Sequence, residues 1–200
     1  MIFNAEMVRA LLSGRKTQTR RIIKPQPEAT LSGSLSGKWL SRPLNGLLLP
    51  KIEDIAIHCP FGSVGDRIWV REAFRVHSRA TDVATLVYKA SERNSWTEQT
   101  RRVPVAVCNK PATPEKWTPS LHMPRWASRI LLEITGVRVE RLRSMSQDDA
   151  RAEGVIAASG PMEAGLAFRE LWDSIYGEES WKANPWVWVI EFKRVEGGAA

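Results

Sequence analysis

From Arg129 to Leu142 the chain is strongly β in character, and its apolar positions change step partway along. Ile130, Leu132 and Ile134 alternate on one parity, then Val137 and Val139 continue on the other. A one-residue phase change at Thr135-Gly136 predicts a bulge, the device that bends a strand around a small barrel. A second strand, Trp186 to Phe192, is apolar on both faces at first (Trp186, Trp188 and Ile190 against Val187 and Val189), so it is expected at the centre of a sheet. Short, bent strands with three small helices predict an α+β fold built on a compact, partly open β-barrel.

The helices are marked by their ends. Asn4 can cap a helix carrying Met7, Val8, Leu11 and Leu12 on one face, with Gly14 at its left-handed C-terminal position. Ser146-Gln147-Asp148-Asp149 reads as a capping box opening a short helix to Glu153, which Gly154 ends. Phe168, Leu171, Trp172 and Ile175 have the spacing of another helix. Gly65-Asp66 turns into a strand from Arg67 to Phe74, where Glu72 shares the apolar face of Ile68, Val70 and Phe74. A carboxylate there is either paired inside, with Arg71 or Arg21 as partner, or lines a cavity and receives a base amino group.

Two hundred residues make one domain, read as 1–196 with a loop at 26–60, an insertion at 75–125 and a disordered tail at 197–200. Within the insertion, Leu86 to Lys89 and Val103 to Val107 predict a hairpin with a mobile polar link, and Ser32 to Lys38 reads as a flexible loop. No apolar run approaches a membrane span and the N-terminus lacks a secretory signal, so a cytoplasmic protein is expected. Cys59 and Cys108 form no paired motif and His58, His77 and His122 are scattered, so neither a metal nor another cofactor is expected.

A formal net charge of +7 favours polyanionic partners, with RNA, single-stranded nucleic acid or a modified nucleoside foremost. Residues 14–21 read Gly-Arg-Lys-Thr-Gln-Thr-Arg-Arg, and through residue 25 six cations face one anion. This stretch is the candidate active surface. Among nine tryptophans, Trp69, Trp126 and Trp186 are the stacking candidates, although core packing is favoured for Trp186, with Arg125 or Arg129 reaching a carbonyl or phosphate. Trp172, Trp186 and Trp188 are assigned to the core.

The order of helix, basic loop, Gly-Asp strand, bent strand, short helix and terminal Trp/Val-rich strand resembles the ASCH domain, a PUA-like family. Its pattern GxKxxExR is met by Gly14, Lys16 and Arg21, with Thr19 at the acidic position. A bacterial branch, the acetylcytidine amidohydrolases, also carries threonine there. The resemblance to that branch implies catalytic roles for Lys16, Thr19 and Glu153, with Arg20 and Arg21 beside them. Gly65 to Glu72 and Pro124 to Ile130 resemble instead the longer ASCH proteins of tailed phages and prophages, which would place the chain in a host cytoplasm.

In this reading Thr19 is the nucleophile, Lys16 takes its proton if its pKa falls by burial or beside Arg20 and Arg21, and Glu153 activates water or protonates the leaving amine. The cleft is expected between the 14–21 loop, the 126–130 strand start and the helix ending at Glu153. A non-catalytic RNA- or DNA-binding module is the alternative, and structural roles for the same residues fit it equally. A ribonuclease ranks lower because no histidine pair stands at a recognisable site, and a virion structural role ranks lowest.

Overall fold

The computed structural model describes residues 1–156 and 163–195. In chain order its elements are α1 (Ala5–Leu12), β1 (Gln18–Ile22), β2 (Glu28–Ala29), β3 (Leu35–Ser36), β4 (Arg67–Trp69), β5 (Phe74–Arg79) and β6 (Val83–Tyr88). They continue with α2 (Trp96–Gln99), β7 (Thr100–Pro104), β8 (Leu131–Arg141), α3 (Gln147–Ala152), α4 (Glu163–Tyr176), α5 (Glu178–Ala183) and β9 (Trp186–Val195). The protein is α+β, with antiparallel sheets and short helices. Among the described residues no helix is long and apolar enough to cross a membrane. The chain divides into two compact units.

The first unit contains Met1–Gly14 and Arg67–Glu133. Asn4 caps α1 by accepting from the Met7 N–H at 2.8 Å, and Gly14 follows the helix with φ +75°, a conformation that costs glycine little. The strand expected from Arg67 to Phe74 is split. β4 pairs with the opening residues of β8, Arg67 opposite Glu133, but Arg71 N–H then bonds to Met1 O at 2.7 Å. The ladder partner changes, and β5 begins a separate sheet. That sheet has the order β5-β6-β7, so the predicted hairpin gains a third strand. Phe74, Val76, Ala84, Leu86, Tyr88 and Val103 supply its core face, which packs on Cys108, Met123 and Ala127. The polar link read as mobile holds α2, whose capping box joins Ser95 and Glu98.

The second unit contains Arg15–Asp66 and Ile134–Lys193. Here β9 lies between β1 and β8, the central place its two apolar faces predicted. Gln18 stands opposite Glu191, and Thr19 opposite Ile190. Burial shifts parity along β8 from Ile134 to Val139 as the sequence suggested, and the strand is continuous from Leu131 to Arg141. A Cβ at Gly136 would meet Glu191 Oε2 at 2.8 Å, so a larger residue there would displace that carboxylate. Val187 and Val189 of β9 pack with Leu142, Ala150, Ala164, Phe168 and Trp172, burying α3 and α4 against one sheet face. The segment read as a flexible loop forms the β2–β3 ladder and a 3-10 turn from Gly37 to Ser41. The expected tail at 197–200 lies outside the described residues.

Candidate functional site

Alternation along β1 decides which side chains meet. The ladder continues upstream of Gln18, because Phe192 N–H bonds to Thr17 O at 2.8 Å. Lys16, Gln18 and Arg20 therefore share one face, while Thr17, Thr19 and Arg21 take the other. Facing the first set is α3, which the reciprocal bonds between Ser146 and Asp149 start and Glu153 closes. Thr17 N–H bonds to Ala152 O at 2.8 Å, fixing the end of α3 beside the strand.

Lys16 Nζ donates to Glu153 Oε2 and to the Glu153 carbonyl, both at 2.8 Å, and its side chain is 0% exposed. Arg20, also 0% exposed, donates through Nη1 to Glu153 Oε1 at 3.3 Å and through Nη2 to Glu140 Oε1 at 2.6 Å. Asp149 Oδ1 accepts from Gln18 Nε2 at 3.1 Å and Arg138 Nη2 at 2.7 Å, and Arg138 also reaches Glu140 and Glu191. Three cations thus meet four carboxylates on one side of the sheet. Burial lowers the Lys16 pKa; the Glu153 carboxylate opposes this, and the charges of Arg21 and Arg20 assist it. Burial opposes ionisation of Asp149, yet the bonds from Ser146 and Gln18 and the Arg20 charge hold its carboxyl well below the usual range.

An amine and a carboxylate expected at one centre therefore meet. The hydroxyl does not accompany them: Thr19 is buried on the opposite face, in register with Ile190. The basic stretch is also less of an anion site than its sequence suggested, because Lys16 and Arg20 are occupied by carboxylates brought from α3 and β8.

The first unit holds a second centre. Glu72 is buried, and its partner is Arg129 rather than Arg71 or Arg21: Nε donates to Oε1 at 2.8 Å and Nη2 to Oε2 at 3.0 Å. Arg129 also bonds to Ser91 Oγ and Glu98 O, and its guanidinium lies 4.1 Å from the Tyr88 ring centre. Burial raises the Glu72 pKa against the pull of Arg129. Both groups, read as ligand contacts in the sequence, are engaged with each other. Trp126 packs edge-on to Phe74, 6.3 Å between ring centres, against the core of this unit. Trp69 carries Arg71 over its ring at 4.5 Å. Arg125 is exposed. Trp172 and Trp188 are core residues as expected, while Trp186 is half-buried beneath Arg141.

The sequence reading missed a group on the face of β5-β6-β7 opposite its core. Arg75 stacks on Trp117 at 4.5 Å, and His77, at a bulge, meets Trp96 edge-on at 5.1 Å. Among the described residues, Arg75 Nε and His77 Nδ1 are buried without hydrogen-bond partners. Exposed Arg102 lies opposite Thr85 on the neighbouring strand, and Trp96 is 53% exposed. The available signal was the alternation of Phe74 and Val76 with Arg75 and His77. Residues 67–133 carry 12 Lys and Arg against 6 Asp and Glu, so most of the chain's formal excess falls here. Among the described residues no cluster of three or more His, Cys, Asp or Glu side chains is placed to hold a metal ion. No protein-family model matches the chain, and no curated protein or solved structure matches it either.

Proposed function

We propose that this chain is an ASCH-type, PUA-like protein of the cytoplasm that grips single-stranded nucleic acid, RNA above all. The observation that carries the reading is the sheet face bearing Arg75, His77 and Arg102 with Trp96 and Trp117. Cations beside indoles suit a single strand, because phosphates supply affinity and base faces stack without demanding a sequence. Fluorescence anisotropy with a labelled single-stranded RNA tests it. With about four phosphate contacts, affinity should fall roughly fiftyfold between about 50 and 200 mM salt. Arg102→Glu and Trp96→Ala should each weaken binding by about tenfold at low salt. Absence of binding at low salt removes the reading.

A second reading is favoured by the Lys16–Glu153 pair. A buried amine of lowered pKa against a carboxylate suits proton transfer during hydrolysis of an acylated exocyclic amine, such as that of acetylcytidine. Water adds to the acyl carbon, the C–N bond breaks, and the pair moves the proton from water to the departing nitrogen. Deacetylation followed by chromatography is expected to be lost in Lys16→Arg, which keeps a cation but cannot give up its proton. Turnover by the parent no greater than by Lys16→Arg excludes this chemistry.

A further inference from the structure

Along the outer edge of β5, the segment from Lys110 to His122 folds back on the strand. Thr113 N–H bonds to Val76 O at 2.9 Å, and Phe74 and Thr118 exchange backbone bonds of 3.2 and 2.7 Å. Beside this edge is a pocket of 330 Å³. That volume suits a small ligand, near the lower end of about 300–1,000 Å³ for such sites.

The lining is chemically specific. Lys110, Lys116, His122, Thr113, Thr118 and Trp117 line the pocket, together with Val76 and two prolines. Among the described residues no Asp or Glu lines the pocket. Trp117 already carries the Arg75 guanidinium at 4.5 Å, and the Arg75 Nε beside it is buried with no partner among the described residues. An aromatic plate, two lysines and two hydroxyls are complementary to one ligand class: a planar base joined through a sugar to a phosphate.

We propose that this pocket binds a nucleoside monophosphate unit. The base extends the Arg75–Trp117 stack, the phosphate lies toward Lys110 and Lys116, and the threonine hydroxyls meet the sugar. The inference rests on the nucleic-acid reading for its ligand class, and the unit is either a free nucleotide or the terminal nucleotide of a strand.

Calorimetric titration of the full chain with adenosine 5′-monophosphate, adenosine and inorganic phosphate tests it. Saturable binding of the monophosphate is expected, with adenosine and phosphate each weaker by about tenfold or more. The Lys110→Ala/Lys116→Ala double variant should lose about tenfold in affinity for the monophosphate, and Trp117→Leu a similar factor. Circular dichroism checks that both variants remain folded. A monophosphate that fails to bind, or binds the double variant as tightly as the parent, overturns the assignment. Single-stranded RNA with and without a 5′-phosphate separates the two sources. A gain from the 5′-phosphate that the double variant abolishes assigns the terminal nucleotide, while monophosphate binding without that gain assigns the free nucleotide. If RNA binds with the expected salt dependence but the monophosphate does not, the pocket assignment alone fails. If the monophosphate binds and RNA does not at low salt, the strand-binding reading alone fails.

Discussion

Replacing Arg20 with methionine is expected to lower the free energy of unfolding by about 3–5 kcal/mol, measured by urea denaturation. The reason is electrostatic rather than volumetric, since methionine fills much of the same space. Arg20 is fully buried and lies against Glu153, Glu140 and Asp149, the last at 3.5 Å. Its removal takes the central cation from those carboxylates and leaves Lys16 and Arg138 beside them, and uncompensated charge in a poorly solvated region is costly. Arg20→Lys should recover only part of the loss, because a single ammonium cannot replace a fork that spans Glu140 and Glu153. A loss below about 1 kcal/mol for the methionine variant would show that water or repacking compensates the network.

Glu72→Ala is expected to cost about 3 kcal/mol or more on the same measurement. It strands the Arg129 guanidinium, whose remaining bonds to Ser91 and Glu98 carry no opposing charge. The paired substitution Glu72→Leu with Arg129→Met removes both charges at once and should restore most of the stability, since apolar replacement of a buried pair is often neutral. The cycle formed by Glu72→Leu, Arg129→Met and their combination therefore carries a large coupling energy. Additive single effects would mean that the two groups are stabilised by other neighbours.

The helix ends and the central strand were legible from local chemistry. Asn4, Gly14, the Ser146–Asp149 box and Gly154 act within a few residues of where they stand, and β9 announced its position by being apolar on both faces. Partners chosen across the chain were not legible. Lys16 meets a carboxylate 137 positions away and Arg20 one 120 positions away, so a local run of basic residues looked like an anion site when its charges were matched from afar. Glu72 was correctly suspected of internal pairing, but nothing near it singled out Arg129. The resemblance groups Thr19 with Lys16, whereas strand alternation separates odd from even positions. The Arg75, His77, Trp96 and Trp117 group was missed for a related reason: its members come from one strand, a short helix and a loop.

Asp149 gives one oxygen to the start of α3 and the other to the sheet. A helix of six residues has little tendency to form by itself. Its first turn is therefore latched by the same side chain that completes the ionic cluster. Coil-to-helix ordering and charge matching become a single cooperative event, and neither can be loosened while the other stays shut.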